Sequence, residues 1–195
     1  MNCDLRRENK IKMKIEVIDY TDNWQAVKDA AMNTIGKENG NYPSSHWKKR
    51  ILHAEHSPIR LLEYTIRMKD IPYWVSVHIC RHKIGIEHFV STQRTDRTGE
   101  DRDDKPQAAL VDHTIRVNAQ ALIAISRRRL CHQSAQETQK IWRAVVDAVS
   151  SVDPEVAQFC VPDCIYRGKC PEMKCCGYYP TDKWFSDLIA YRSEW

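Results

Sequence analysis

The sequence predicts an α+β fold: a mixed, mainly antiparallel sheet flanked by helices, in a single domain over residues 13–195. Three observations predict it. Ile59–Met68 and Val111–Val117 alternate apolar and polar residues with period two, as strands with one wet face do. Other segments space their apolar residues three and four apart, the stripe of a helix packed on such a sheet. Six glycines and no G-x-G-x-x-G exclude a parallel, doubly wound dinucleotide domain.

The 195 residues suit one core and are short for two. Thirty Lys and Arg against 26 Asp and Glu leave a formal charge of +4. That excess fits anionic small molecules and is too slight to demand nucleic acid. No apolar run approaches the ~20 residues of a membrane span and no signal peptide is visible, so the expected compartment is the cytoplasm. The eight cysteines are then expected as thiols or metal ligands, not disulfides.

Residues 1–12 are charged and without periodicity, a polar N-terminal tail. Met13 opens a strand over Lys14–Tyr20, marked by Ile15, Val17 and, after a slip, Ile18. Asp22 is placed to cap a helix to about Thr34, with Trp24, Val27 and Ala31 on one stripe. Gly36–Pro43 is loop by composition. Ser44 or Ser45 caps a second helix to about His56, with Trp47 and Ile51 one turn apart. Ser57-Pro58 ends it, because the residue before proline is pushed out of the α region. The strand Ile59–Met68 turns Leu62, Tyr64, Ile66 and Met68 inward against Glu63, Thr65 and Arg67. Pro72 suits a helix start, while Tyr73–Cys80 fits helix or strand by pattern.

Thr98–Gln107 is a charged connection, a lid or a plain solvated loop. Past Val117, Asn118 caps a helix that feeds Leu122, Ile123 and Ile125 to the core and carries Arg127, Arg128 and Arg129. Ser134 and Glu137 have the spacing of a capping box for a helix to about Ser151, with Ile141, Val145 and Val149 inward. Lys183–Tyr191 closes the chain as an amphipathic helix carrying Trp184, Leu188 and Tyr191.

Chemistry concentrates in Ile79–Arg97. Arg81, His82, Lys83, His88, Arg94 and Arg97 stand among Ile84, Ile86, Phe89 and Val90, with Ser91, Thr92 and Gln93 between. Cations held against an apolar frame suit a bound phosphate, for which Arg supplies a rigid fork of donors. The hydroxyls and amide can orient a polar ring beside it. An ion-paired strand and loop is the plainer alternative.

Arg81-His82-Lys83, followed by Ser91 and Gln93-Arg94, resembles the R-H-R…N-E-x-S-x-R-Y signature of flavin-dependent thymidylate synthases. Lys83 stands at the third position, His88 for the Asn, Phe89 for the Glu and Gln93-Arg94 for the Arg-Tyr. Asn118-Ala-Gln-Ala-Leu122 resembles the family's N-A-R-S-L-x-N-F-L-x-L-R, with Gln120 for an Arg and Ala124 for a second Asn. Ser57-Pro58 matches its H-x-T/S-P-F-E-H turn, where Arg60 replaces the Glu, and Ala135-Gln136 is similar to its A-Q-W-E-I helix start. The likeness spans Lys14 to Val149.

That resemblance implies a helix over Tyr73–Cys80, delivering Arg81 and His82 from its end. It implies FAD held by Ser57, Arg81, His82, Lys83, Asn118 and Gln120. It implies dUMP held by His78, Arg81, Ser91, Thr92, Gln93, Arg94 and Arg129, with Arg129 also catalytic through activation of the uracil ring. The reaction would be methylene transfer from methylenetetrahydrofolate to dUMP with NADPH reducing the flavin, in a homotetramer with sites at subunit junctions. No cysteine nucleophile is required.

Cys160, Cys164, Cys170, Cys175 and Cys176 crowd one stretch, residues 160–177. The spacings are irregular for zinc, which usually takes two close pairs. Structural zinc on Cys164, Cys170 and Cys176, an iron–sulfur cluster, and buried free thiols all stay open. Two rival functions follow: a divergent relative acting on another pyrimidine nucleotide or one-carbon step, and a Cys-rich, metal-containing nucleic-acid-binding protein. Arg127-Arg128-Arg129 is the only dense basic run to support the second.

Overall fold

The computed structural model describes residues 13–38 and 40–193. The polar tail expected over residues 1–12 lies outside them. Four strands form one sheet in the order β1-β2-β4-β3: β1 (Lys14–Tyr20), β2 (Glu63–Pro72), β3 (Ile86–Val90) and β4 (Leu110–Asn118). All three pairings are antiparallel. The α+β class holds, and among the described residues the sheet has no parallel member to make it mixed.

Alternation decides which face is buried. Tyr64, Ile66 and Met68 of β2 lie beside Val117, Ile115 and His113 of β4, and each of the six is at most 1% exposed. Thr65, Arg67, Thr114 and Arg116 occupy the opposite face, where Arg67 pairs with Glu16 and Arg116 with Glu63. The buried face packs on α6 (Gln136–Ser150) through Ile141, Trp142, Val145 and Val149, and on α5 (Ala119–Arg129) through Leu122, Ile123 and Ile125. Burying a residue of this size stabilises by about 1.5–3 kcal/mol, which is why β2, β4, α5 and α6 are legible from pattern alone.

Local chemistry sets the remaining boundaries. α1 (Trp24–Asn33) begins after Asn23, not Asp22, and has no side-chain cap; the Asp22 carboxylate instead accepts from the Tyr42 hydroxyl at 3.4 Å. Ser44 does cap α2 (Ser45–His53), accepting from the Trp47 amide at 3.3 Å. The expected strand start at Ile59 is a correction: Ser57–Leu61 is a 3-10 turn with Pro58 at its first positions. Proline presets helical φ there and its missing amide costs nothing. β2 runs on to Pro72 past a bulge at Met68/Ile71, with Asp70 at φ 56°.

Tyr73–Cys80 is a helix, α3, that starts directly after Pro72. A single turn, α4 (Thr95–Thr98), ends on Gly99 at φ 73°, and the exposed Thr98–Gln107 connection follows. The expected capping box fails: the residue before α6 is Ala135, and the Ser134 hydroxyl is buried without a partner among the described residues. Asp153 caps α7 (Pro154–Gln158) and accepts from the Tyr64 hydroxyl at 2.8 Å and the Trp24 indole at 3.2 Å. It thereby ties β2, α1 and α7 together. The chain ends with α8 (Asp163–Arg167) and α9 (Asp182–Ser193), which share a small second cluster of Cys164, Ile165, Trp184 and Leu188. No helix among the described residues is long and apolar enough to cross a membrane.

Candidate active site

The site is built where α3 ends, β3 begins and α5 passes beneath both. Asn118, the last residue of β4, donates its amide to the Gly85 carbonyl at 3.0 Å and accepts the Ala121 amide on its side chain at 2.9 Å. One residue thus closes the strand and caps α5. Gly85 sits at φ +70°, and a Cβ there would lie 2.6 Å from Asn118 Nδ2 and 2.9 Å from Ala121 Cβ. Only glycine lets the Arg81–Gly85 loop approach α5 this closely.

Two adjoining clefts follow from that approach. The first, about 500 Å³, is lined by Arg60, Ile84, Gly85, Asn118, Gln120 and Ala124. The second, about 360 Å³, has Arg81, His82, Lys83, Ile125 and Arg128 on its walls, and both clefts share Ile84, Ala121 and Ala124. Five of the six residues expected to contact FAD therefore converge, and the exception is Ser57, which opens the 3-10 turn and lines neither cleft. Arg81 and Lys83 are exposed and have no acidic partner among the described residues, so both cations are available to an anion. Ile84, 89% exposed, stands between the clefts as an apolar edge for a flat ring. Arg60 and Gln120, both departures from the resembled motifs, hydrogen-bond each other across the first cleft.

Behind the second cleft lies a buried, hydrogen-bonded layer. Arg129, half-buried, donates its Nε to His82 Nε2 at 2.9 Å and a terminal nitrogen to the His78 carbonyl at 2.6 Å. His82 must therefore be an acceptor at Nε2, and burial, Arg129 and His88 together push its pKa down to about 4. Burial also lowers Arg129 itself, with Arg81 adding to the effect. His78 meets Thr138 Oγ1 through Nδ1 at 3.2 Å.

A second chain runs alongside: Ser76 Oγ to His113 Nδ1 at 3.1 Å, His113 Nε2 to His88 Nδ1 at 3.1 Å, and His88 Nε2 to the His82 carbonyl at 2.8 Å. One assignment satisfies it with every ring neutral: His88 donates to the carbonyl, His113 donates to His88, and Ser76 donates to His113. Burial, then the cost of placing two protonated imidazoles side by side at His113 and His88, push the His113 pKa down to about 4, consistent with a neutral ring. Cys80, His88 and His113 bring three ligating atoms within 4.8 Å, the only such set among the described residues. The two imidazoles are already satisfied by each other.

The three consecutive arginines diverge as helical geometry requires. Arg127 pairs with Glu55 and lies 3.5 Å above the Tyr166 ring, Arg128 lines the second cleft and reaches Glu172 at 3.1 Å and Asp163 at 3.9 Å, and Arg129 turns into the layer behind that cleft.

The other residues expected to hold the nucleotide lie elsewhere. Ser91 follows β3 at its far end, where its hydroxyl accepts the Asp112 amide at 3.1 Å. Arg94 forms a two-point pair with Asp96 at 2.9 and 2.8 Å, and Thr92 accepts the Arg94 amide at 3.2 Å. Gln93 sits between them, half-buried. Ser91, Thr92, Gln93 and Arg94 line neither of the two clefts.

Sequence reasoning missed His113, Ser76 and Thr138. The signal for His113 was present: it occupies an inward position between Val111 and Ile115, where a polar side chain must find a buried partner.

No protein-family model and no curated protein matches the chain. Solved structures do match it. The crystal structure of thymidylate synthase X from Helicobacter pylori with FAD and dUMP is 14% identical and has a TM-score of 0.62, over 76% of this chain and 99% of that one. The UMP/dUMP methylase PolB from Streptomyces cacaoi, bound with 5-Br dUMP, is 13% identical with a TM-score of 0.61, over 75% and 94%. The chain has the fold of these nucleotide methylases, in a divergent form.

Proposed function

We propose that the chain is a flavin-dependent methylase of a pyrimidine deoxynucleotide, converting dUMP to dTMP with methylenetetrahydrofolate as one-carbon donor and NADPH as reductant. One observation carries this reading: Arg81, His82, Lys83, Asn118 and Gln120 meet at two adjoining clefts backed by Arg129. The residues fit FAD. Arg81 and Lys83 supply charge for its phosphates, and Ile84 and Ala124 supply apolar surface for its ring. Bound there, the flavin supplies hydride chemistry.

The chain's own residues bind and orient. His82 and the His78 carbonyl hold the Arg129 guanidinium in one orientation, and a fixed donor costs no reorganisation when charge develops on the uracil oxygens. The neutral His82 leaves Arg129 as the cation of that layer. Phosphate binding falls to Arg81, together with Ser91 and Arg94 of a second copy, whose far β3 end would sit against the clefts in a homotetramer. The Phe89 side chain, 61% exposed on the outer sheet face, suits burial in that contact.

The test is titration of the purified protein with FAD, with and without dUMP, followed by product analysis with methylenetetrahydrofolate and NADPH. Flavin binding and dTMP formation are expected; absence of FAD binding in both titrations contradicts the reading. Phe89, in place of the family's Glu, favours a second reading in which another pyrimidine nucleotide is methylated. Turnover of UMP with none of dUMP in the same assay would select it.

A further inference from the structure

The histidine chain behind the second cleft has a property that hydrogen bonding alone does not use. His88 Nε2 meets the His82 carbonyl at 2.8 Å, and a carbonyl only accepts, so a neutral His88 carries its proton there. Its Nδ1 is then a lone pair, 3.1 Å from His113 Nε2. On the far side, His113 Nδ1 meets the Ser76 hydroxyl at 3.1 Å, and a hydroxyl can donate or accept. Both rings thus anchor an outer nitrogen on oxygen and turn an inner nitrogen toward each other. Outer anchors of this kind orient imidazole ligands around a metal.

A thiol completes the set. Ser76 and Cys80 are four residues apart in α3 and share one face of it. The contact that seats Ser76 on His113 therefore also turns Cys80 toward the histidines. The Cys80 sulfur and a ring nitrogen of each histidine lie within 4.8 Å of one another. The expected zinc residues Cys164, Cys170 and Cys176 form no such set among the described residues.

The spacing suits one small ion. At metal–nitrogen distances of about 2.0–2.1 Å, nitrogens 3.1 Å apart subtend roughly 100° at the metal, close to the tetrahedral angle. A metal–sulfur bond of about 2.3 Å then sets the sulfur roughly 3.5 Å from each nitrogen. A swing of the Cys80 side chain by little more than ~1 Å closes that distance.

We propose that Cys80, His88 and His113 ligate one zinc ion, with water in the fourth position. One thiolate and two imidazoles are ligands that zinc takes tetrahedrally, and three protein ligands leave a place for water. On uptake the Cys80 thiol loses its proton to solvent. The His113 proton moves from Nε2 to Nδ1 and is donated to Ser76, so one proton leaves per ion bound. The ion also has a structural position. Cys80 ends α3 and His88 lies in β3, and the segment between them supplies Arg81, His82, Lys83, Ile84 and Gly85 to the clefts. Tying both ends of that segment to β4 through His113 clamps the cleft wall, whichever ligand the clefts take.

The test is zinc analysis of the full chain purified without chelator, then exchange into cobalt(II) and absorption spectroscopy. Bound zinc is expected, with the visible bands of tetrahedral cobalt and a thiolate charge-transfer band. Cys80→Ser should lose one equivalent of ion and that charge-transfer band. Cys175→Ser, which alters an exposed thiol outside the set, should keep both. In the zinc-loaded chain, long-range proton–nitrogen correlations should place the ion on His88 Nδ1 and His113 Nε2, with His113 protonated at Nδ1. If Cys80→Ser fails to fold, those correlations in the wild-type chain decide alone. Chelation should speed amide exchange over residues 81–85 and open Cys80 to alkylation. A chain that takes up neither ion under reducing conditions overturns the proposal. So does an ion content and cobalt spectrum unchanged in Cys80→Ser, or a His113 that keeps its proton on Nε2 with zinc present.

Discussion

The two ends of β3 are built by opposite rules. At its start, Arg129 and His82 are half-buried and held by partners from other elements, and the buried layer continues along the inner face through His88 to His113, which pairs with Val90. At its end, Ser91, Thr92 and Arg94 are exposed, and their hydrogen bonds run to near neighbours and to the adjoining strand. The first region is preorganised within one chain. In the second, Asp96 occupies the Arg94 fork, and a ligand or second chain would have to displace that pairing. The difference teaches that the buried histidine–arginine layer is part of the fold, whereas the exposed Ser91–Arg94 strip is an attachment to it.

The largest expected effect is at the preorganised end. Arg129→Ala and Arg129→Lys should each lower turnover at least about a hundredfold, the scale of one lost donor of ~3 kcal/mol. Lysine keeps the charge but cannot hold both His82 and the His78 carbonyl with one planar fork. Steady-state turnover checks this, and wild-type rates in Arg129→Lys would show that orientation is irrelevant.

Gly85→Ala comes next. A left-handed φ costs a residue with a Cβ about 1–2 kcal/mol, and the 2.6 Å approach to Asn118 adds to it. A loss of about 2 kcal/mol or more by denaturant titration is expected, with weaker flavin binding. Unchanged stability would mean that the loop approaches α5 less closely than described.

Protons probe the buried layer. Both His82 and His113 are held near a pKa of 4, below the ~6.5 of a free imidazole. The unfolded chain therefore binds more protons between those values. Their contribution to stability is complete above about pH 6.5 and declines as pH falls toward 4. Two histidine resonances that fail to titrate between pH 7 and 5 would confirm the buried layer, and normal titration of both would refute it.

The smallest effects belong to exposed charges. Arg128→Ala removes surface pairs worth up to about 1 kcal/mol and, although Arg128 lines the second cleft, should lower turnover far less than Arg129→Ala. A loss exceeding that of Arg129→Ala would mean that the helix register is misassigned.

The fold was legible wherever burial imposes a period. Tyr64, Ile66 and Met68, or Ile141, Val145 and Val149, cannot be solvated without large cost, so their spacing declares the element. Competing local options were not legible. Pro58 draws Ser57–Leu61 into a 3-10 turn although Ile59 and Leu61 keep a strand's alternation. Ser134 has cap spacing, yet the helix starts one residue later than its side chain could serve. In the site, Arg81, Asn118 and Arg129 could be placed by motif order, but their partners could not. The His78, His82, His88 and His113 contacts join residues up to 60 positions apart, and no local pattern encodes them.

The most direct measurement mixes two defective chains. Arg94→Ala and Arg129→Ala damage opposite ends of β3, and Arg94→Ala, being exposed, should leave stability within about 0.5 kcal/mol. Each variant alone should be nearly inactive. If each site joins the ends of two chains, co-assembled tetramers should recover up to about a quarter of wild-type turnover, the share of junctions that random mixing leaves intact. No recovery, in mixtures shown to have exchanged subunits, would contradict a site shared between chains.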